Sequence, residues 1–464
     1  MKRKIVAGLF AGAMLLYASG NAFAEAKNVI LMISDGQGFN TVKATDYYTG
    51  STAAYENFTT KLAMQTNSAN NPAGYNAAAM STDFSYSLSG ATDSASAATA
   101  MYTGQKIYDG QINYSTTGNF LTTYFETASL AGKSTGAVSS VEFSHATPAA
   151  VAAHNVSRNN YSAIANEMIY NSNLDVIMGA GYPVGGATKY IGGQDVVDDV
   201  ADGSTTAGHT FINNVSDFQA LAAGTLTATK VLGAANANYT LNDVYAGGIN
   251  DESVVPTLDT MTKGALNVLG QNENGFAVMI EGGAVDWEGH ANSLDEQIIE
   301  QIDFNNSVQS VVEWVEANSS WEETLLIVTA DHETGGLFGD GSADFFDVNG
   351  DGVFTAGVDY AHIADNGEGN LPGHDWYSGN HTNQLVPLYA MGAGAELFYA
   401  YLAGTDANLA DYYGLDSDWT GDYVDNTSIF DVMTAASAVP VPGTFFLMAS
   451  GLLGLAGIRR KTNA

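Results

Sequence analysis

The sequence predicts an α/β fold with a central, mostly parallel sheet and helices on both faces. Apolar runs of strand length recur without polar alternation, which is typical of strands buried on both faces. Each of these runs also ends in an unusual polar residue. Because ligands bind at the carboxyl ends of strands in open α/β sheets, these ends predict one shared site. A length of 464 residues is sufficient for a single large domain of this class.

Four apolar runs define the predicted strands in chain order, and each leads directly to a polar side chain. NVILMIS leads to Asp35, STGAVSSV to Glu142 and on to Thr147, FAVMI to Glu281, and TLLIVTA to Asp331 and His332. Neighbouring parallel strands end at the same edge of a sheet. We therefore expect these side chains to lie close together.

Two further segments add candidate metal ligands. EGGAVDWEGH contains Asp286 and His290, whose four-residue spacing places both on one face of a helical turn. GNHTNQLVPLYAMG contains His381 just before another apolar run. Carboxylates and imidazoles together suit zinc, with a harder ion such as magnesium nearby. Each residue taken alone is better explained as a cap or a surface residue, but the whole set at strand ends favours a metal site.

Both ends of the chain are predicted to be targeting signals. Residues 1–24 combine a basic KRK start, an apolar run and an AFA cleavage site, as in a secretory signal peptide. An uncleaved membrane anchor is the alternative, although the apolar run is short. Residues 438–464 join VPVPG, an apolar stretch and a basic RRK stop, and they resemble the PEP-CTERM sorting tails of Gram-negative bacteria. That resemblance implies an exosortase-type processing enzyme as a partner and delivery to the cell surface or extracellular matrix, with a transient or permanent C-terminal membrane anchor.

The segment between these signals is strongly acidic. The whole chain has a formal charge of −35, and the two ends hold six of its 15 basic residues, so nine basic residues face 50 acidic ones. Such a field repels nucleic acid, which excludes nucleic-acid binding, and it favours cations. The chain has no cysteine, so an exported protein would be stabilised by its core and bound ions without disulfides.

Six motifs resemble those of the alkaline phosphatase family. They are KNVILMISDGQG, TDSASAATA, SHATPAAVAAHNVSR, EGGAVDWEGH, TADHETGG and HTNQLVPLYAMG, in this order from Lys27 to Gly392. The resemblance implies a three-layer α/β sandwich that hydrolyses small-molecule phosphate monoesters, acts at alkaline pH and forms a homodimer. It also implies that residues 25–437 are one catalytic domain, with insertions near 181–260 and 338–380.

The same resemblance implies a role for each matching residue. Ser94, beside Asp93, becomes the nucleophile that forms a phosphoserine, and Arg158 binds phosphate. The implied cofactors are two Zn²⁺ and one Mg²⁺, held by Asp286, His290 and His381, by Asp35, Asp331 and His332, and by Asp35, Thr147 and Glu281 respectively. His145 and Trp287 stand where the enterobacterial type has Asp and Lys.

The small residues around Ser94 have a physical interpretation. A Ser in the first turn of a helix lies near free N–H groups and the positive end of the helix dipole, which favour bound phosphate. Small neighbours let the sheet, two metals and substrate approach closely. The alternative for Ser94 is a plain helix N-cap, and the ligand set around it decides against that interpretation.

A second cation site is predicted in the segment DVNGDGVFTAGVD. Asp347, Asn349 and Asp351 match the first half of an EF-hand loop, and the closing acid, Asp359, comes one position late. A calcium site and an acidic surface loop both remain open at this stage.

Two rival functions remain beside the phosphomonoesterase. A phosphodiesterase or sulfatase of the same superfamily would use the same metals, but Ser94 in this motif argues against both. An inactive, calcium-binding surface matrix protein is the other rival, and the presence of every ligand position argues against it.

Overall fold

The computed structural model describes residues 25–182, 187–202, 208–237, 255–342 and 360–437. Its strands are β1 (Asn28–Ser34), β2 (Thr60–Gln65), β3 (Ser134–Glu142), β4 (Val176–Ala180), β5 (Thr210–Ile212), β6 (Val231–Ala234), β7 (Phe276–Gly282), β8 (Thr324–Thr329), β9 (Glu333–Thr334), β10 (Leu337–Phe338), β11 (Asp375–Trp376), β12 (His381–Thr382), β13 (Val386–Gly392), β14 (Leu402–Thr405) and β15 (Asp422–Asp425).

Helices connect these strands. They are α1 (Phe39–Thr49), α2 (Ala77–Met80), α3 (Phe84–Ser87), α4 (Ser94–Thr103), α5 (Tyr124–Leu130), α6 (Ala146–Ala149), α7 (Tyr161–Asn166), α8 (Gln194–Asp202), α9 (Val215–Ala222), α10 (Leu258–Leu269), α11 (Ala284–Ala291), α12 (Leu294–Asn318), α13 (Leu409–Tyr413) and α14 (Ser428–Ala436). Short 3₁₀ turns span Ala54–Asn57, Thr188–Ile191 and Ala395–Ala400, and a π turn spans Glu167–Asn171.

The large sheet has the order β14-β15-β2-β13-β8-β1-β7-β3-β4-β6-β5. Strand β13 runs antiparallel to β2 and β8, and β14 runs antiparallel to β15, while the other neighbours are parallel. The predicted α/β class with a mostly parallel sheet is therefore confirmed.

The apolar run of β1 supplies side chains to both layers of helices. Val29, Leu31 and Ile33 belong to the core on one face, together with residues of α4, α5 and α14. Ile30 and Met32 belong to the core on the other face, together with residues of α10 and α12. Alternate side chains of a strand point to opposite faces, so an unbroken apolar run is what a doubly covered strand needs.

The two regions predicted to be insertions both contribute strands. Region 181–260 contributes β5 and β6, which extend the parallel edge of the sheet. Region 338–380 contributes β11, which pairs with β10. The predicted calcium ligands lie outside the described residues; they are Asp347, Asn349, Asp351 and Asp359. The predicted signal peptide 1–24 and sorting tail 438–464 also lie outside them. Among the residues that are described, no helix combines the length and the apolarity needed to cross a membrane.

Candidate active site

The carboxyl ends of β1, β7 and β8 meet at one edge of the sheet. The register pairs Ile33 of β1 with Glu281 of β7 and with Thr329 of β8. Directly after β1 the chain turns at Gly36, whose φ is +80°. A Cβ at Gly36 would lie 2.6 Å from the Cα of Asp286, so only glycine allows helix α11 to approach this strand end.

Three residues at this edge form what we call the inner cluster: Asp35, Asp331 and His332. His332 Nε2 lies 3.6 Å from Asp35 Oδ1 and 3.3 Å from Asp331 Oδ2. All three side chains are buried. Within the described part of the chain, neither of those two carboxylate oxygens accepts a hydrogen bond. Two buried carboxylate oxygens beside an imidazole nitrogen fit a bound cation, because a cation would supply the charge they lack.

The charges of the inner cluster repel one another. Burial, followed by the charges of Asp331, Asp286 and Glu281, raises the pKa of Asp35 well above its usual value. Burial and Asp286 raise the pKa of Asp331 to about 6. Burial and the neighbouring histidine His381 lower the pKa of His332 well below its usual value. Without a cation, the protein alone disfavours the ionised carboxylates that a metal requires.

Three other residues form the outer cluster: Asp286, His290 and His381. His290 and His381 have their Nε2 atoms 3.1 Å apart, and each Nε2 lies within 3.5 Å of Asp286 Oδ1. Each Nδ1 lies 2.8 Å from a backbone carbonyl, that of Gly379 or Thr92. Since a carbonyl oxygen only accepts, each Nδ1 carries a hydrogen, and the neutral rings direct two Nε2 lone pairs at one point. This arrangement fits a divalent cation or, in its absence, an added proton.

The outer cluster balances its own charge. Burial opposes ionisation of Asp286, yet the neighbouring histidines, above all His381, lower its pKa well below the usual range. Burial also opposes protonation of His381, but Asp286 raises the pKa of His381 to about 9. The two clusters are in contact, because the rings of His332 and His381 stack with centroids 3.5 Å apart.

A third group of oxygen ligands lies beside the inner cluster at Glu281. Its Oε2 accepts a very short hydrogen bond from Ser139 of β3. Burial raises the pKa of Glu281 to about 8, while the hydroxyls of Ser139 and Thr147 oppose that shift. Asp35 and Glu281 repel each other electrostatically. Hard carboxylate and hydroxyl oxygens of this kind suit Mg²⁺.

Ser94 is the first residue of helix α4 and is buried. Its Oγ lies 3.3 Å from Nε2 of His332 in the inner cluster. Asp93 caps the helix, since its Oδ1 accepts a hydrogen bond of 2.9 Å from the backbone N–H of Ser96. The other oxygen of Asp93 accepts a hydrogen bond of 3.0 Å from Arg158 Nη1. One carboxylate therefore fixes both the helix that carries Ser94 and the guanidinium of Arg158.

His145 lies among aromatic side chains. His145 stacks on Tyr161 with centroids 5.3 Å apart, and its ring lies 5.4 Å from that of Trp287. Its Nε2 is 3.5 Å from Oε2 of Glu142. Burial, assisted by the charge of Arg158, lowers the pKa of His145 to about 3, so this ring is neutral at physiological pH.

Two supporting residues that no sequence pattern singled out follow His332. Thr334 donates a hydrogen bond of 2.5 Å to Asp286 Oδ1 and lies 3.2 Å from His332 Nδ1, so it touches both clusters. Glu333 accepts hydrogen bonds from Thr382 and Gln384, which tie the segment after His381 to that after His332. Both residues lie inside the motif TADHETGG, and their polar side chains were the only feature of the sequence that could have indicated a supporting role.

The fold and the ligand clusters define an α/β protein with candidate cation sites at the carboxyl edge of its sheet. The chain belongs to the alkaline phosphatase family, because the family model described as alkaline phosphatase matches residues 26–358. That family is metal-dependent, and membership supports a phosphatase activity. Residues 438–461 match the PEP-CTERM protein-sorting motif, which suggests export and a C-terminal sorting tail.

Known relatives agree with this assignment over most of the chain. Alkaline phosphatase 4 of Bacillus subtilis (strain 168) is 28% identical over 474 aligned positions, which cover 87% of this chain and 92% of that protein. Alkaline phosphatase of Escherichia coli (strain K12) is 28% identical and covers 66% of this chain and 70% of its own length. The structure of alkaline phosphatase from the Antarctic bacterium TAB5 has a TM-score of 0.63 at 25% identity and covers 90% of this chain and 100% of its own.

Proposed function

We propose that this chain is an exported phosphomonoesterase that works through a phosphoserine at Ser94. The observation that supports it most strongly is that Ser94 Oγ lies 3.3 Å from a candidate metal-ligand cluster, while its neighbour Asp93 holds Arg158. A nucleophile, cation ligands and an anion-binding guanidinium thus converge at one edge of the sheet. That combination fits transfer of a phosphoryl group.

We further propose the ligand sets of the cofactors. The outer cluster would hold one Zn²⁺ and the inner cluster a second, and Asp35, Thr147 and Glu281 would provide oxygen ligands for Mg²⁺. Cations at these positions would supply positive charge that neutralises the ester and stabilises the negative charge that develops on its oxygens. The uncompensated carboxylates of the inner cluster and the converging Nε2 atoms of the outer cluster support the assignment.

The residues of the chain carry the remaining steps. Arg158, oriented by Asp93, grips two phosphate oxygens through its planar guanidinium. Ser94 Oγ then bonds to phosphorus in line with the ester oxygen, which departs with its bonding electrons and is protonated as the alcohol. The free N–H groups in the first turn of α4 favour the anion held there. Water finally attacks the phosphoserine, breaks the bond from phosphorus to Oγ, and releases inorganic phosphate.

Export and processing are part of the same proposal. The PEP-CTERM match supports cleavage of the tail by an exosortase-type enzyme and delivery to the cell surface or matrix. There the enzyme would release phosphate from extracellular monoesters.

The test combines substrate choice with trapping of the intermediate. We expect the metal-loaded protein to hydrolyse a phosphate monoester far faster than a diester, and a chelator to abolish both reactions. Acid quenching with labelled substrate should trap phosphate on wild type and on Ser96→Ala, but not on Ser94→Ala. Ser96 is a matched control on the same helix, where its hydroxyl contacts Asp93 and Asp109. Diester preference, or label retained by Ser94→Ala, would contradict the proposal.

A further inference from the structure

The ammonium group of Lys189 lies over two aromatic rings. Its Nζ lies 4.4 Å from the ring centroid of Tyr190 and 4.9 Å from that of Tyr161. Four other lysines pair with a carboxylate within 4.0 Å: Lys61, Lys106, Lys230 and Lys263. For Lys189, no carboxylate among the described residues lies within that distance. An ammonium that lies on two aromatic rings, with no ion pair in the described part of the chain, can bind an anion from solution.

The aromatic platform below Lys189 is anchored to the candidate active site. The rings of Tyr161 and Tyr190 are 4.8 Å apart, and Tyr161 stacks on His145. Ser144 Oγ donates a hydrogen bond of 2.8 Å to the carbonyl of Tyr190. The 3₁₀ turn that carries Lys189 is thereby fixed to the segment that leads to the proposed Mg²⁺ ligands.

Lys189 also lies near the proposed phosphate clamp. Burial and Tyr190 raise the pKa of Tyr161, whereas Arg158 and Lys189 both act to lower it, so the two cations act on the same ring. An open hollow of about 320 Å³ adjoins Tyr161 and Lys189, and Asn159, Asn160, Ser162 and Ala163 complete its lining. The hollow is therefore bounded by the ring on which both cations act and by one of these two cations.

We propose that Lys189, on the platform of Tyr161 and Tyr190, is a subsite for a second phosphate group of the substrate, as in a nucleoside diphosphate. The inference rests on the proposed function, because Arg158 must hold the reacting phosphate for the hollow to face the leaving group. A charged group fits better than a flat base, since Lys189 already lies over both rings. Among the described residues no carboxylate pairs with this ammonium, and a phosphate would provide such a partner.

The reaction on such a substrate follows the same steps. Ser94 Oγ bonds to the terminal phosphorus, and the bridging oxygen departs with its bonding electrons on the nucleoside monophosphate. The proton of the Ser94 hydroxyl passes to solvent. Lys189 meets the charge on the departing monophosphate, and water later releases the terminal phosphate from Ser94.

The experiment compares kcat/KM for ADP and AMP in the metal-loaded protein, since AMP has no second phosphate. For Lys189→Gln we expect a loss of roughly tenfold on ADP and less than about twofold on AMP, the scale of one charged contact. Tyr161→Phe keeps the ring and should keep the wild-type ratio, while Tyr161→Leu should lower it. Lys263→Gln is the matched control, because Lys263 pairs with Asp259 on helix α10.

The outcomes separate this subsite from the proposed function. Equal losses on ADP and AMP, an unchanged ratio in Lys189→Gln, or a wild type that hydrolyses AMP but not ADP would overturn the subsite alone. A wild type that hydrolyses neither nucleotide would overturn the proposed function and the subsite with it.

Discussion

The inner and outer clusters contain the same residue types, but their surroundings shift the carboxylate pKa values in opposite directions. In the inner cluster the His332 and Asp331 side chains are fully buried, and burial and like charges disfavour ionisation of the carboxylates. In the outer cluster the His290 side chain is 36% exposed, and Asp286 and His381 stabilise each other as an ion pair. Burial and partner identity, more than ligand type, therefore decide how strongly each cluster depends on a cation.

This difference has a consequence for the metal-free protein. The inner cluster without a cation is unfavourable, because burial and like charges oppose ionisation of its two carboxylates. The outer cluster without a cation keeps a proton on His381 and remains internally compensated. Metal binding should thus stabilise the fold mainly through the inner cluster, whereas binding at the outer cluster must displace a proton.

The largest expected effect comes from removing one carboxylate from each cluster. Asp331→Asn and Asp286→Asn should each lower kcat/KM by roughly a thousandfold, since a lost cation removes several kcal/mol of charge stabilisation. In metal-free protein, the two substitutions should change the free energy of unfolding in opposite directions. Asp331→Asn should raise the free energy of unfolding by about 2–3 kcal/mol, because it removes a carboxylate whose pKa burial raises to about 6. Asp286→Asn should lower it by about 3 kcal/mol, because His381 loses its partner. Chemical denaturation of chelated protein measures both values, and shifts of equal sign would contradict the comparison.

Substitutions of Arg158 should weaken phosphate binding without loss of metal. Arg158→Lys and Arg158→Ala should both weaken phosphate inhibition and lower kcat/KM by roughly 1.5–3 kcal/mol, about ten- to a hundredfold, because Lys cannot form the bidentate contact. Metal content should stay at the wild-type value in both variants. Steady-state kinetics with metal analysis checks this. Wild-type kinetics in Arg158→Ala would remove Arg158 from its proposed role.

The stability of metal-free protein should fall as pH rises from about 7 to 9. The folded-state pKa values of Glu281 and His381 are raised to about 8 and 9, whereas His145 and His332 have lowered pKa values and are neutral throughout this window. A group whose pKa is higher in the folded than in the unfolded state contributes stability at pH values below its unfolded-state pKa. This contribution is lost as the pH rises through its folded-state pKa. Asp286 has a lowered pKa, so its contribution is constant across this window. Thermal unfolding at each pH, with and without zinc and magnesium, measures the effect. A melting temperature that rises with pH in chelated protein would contradict it.

The smallest expected effect concerns the order of metal loss. A chelator should remove the outer ion before the inner one, because His290 is exposed while His332 is buried. Metal content against time should therefore show two phases, and His290→Ala should lack the fast phase. A single phase shared by wild type and His290→Ala would indicate that exposure does not govern release.

The central strands were predictable because each is a contiguous apolar run in the sequence. NVILMIS before Asp35 and TLLIVTA before Asp331 both became central strands of the sheet. The VLGA strand β6 was hidden in a region predicted to be an insertion, because four residues amid Gly, Asp and Thr carry little periodicity. The roles predicted for Ser94 and the metal ligands remain predictions.

The contrast between the clusters could not be predicted, because it depends on contacts between distant segments. The hydrogen bond from Thr334 to Asp286 joins residues 48 positions apart. The stacking of His332 on His381 brings the clusters together across the predicted insertion 338–380. The platform of Tyr161 and Tyr190 likewise depends on how two loops pack. Burial and partner charge set the pKa of each group, and neither is encoded by local spacing.

Anomalous diffraction at the zinc edge, from crystals grown with zinc and magnesium, would locate the zinc ions relative to the two clusters. Two zinc peaks are expected, one within coordination distance of Asp286, His290 and His381 and the other of Asp35, Asp331 and His332, with Ser94 Oγ facing the space between them. Brief chelation should weaken the first peak before the second. Zinc at neither cluster, or at only one of them, in crystals of active enzyme would contradict the account.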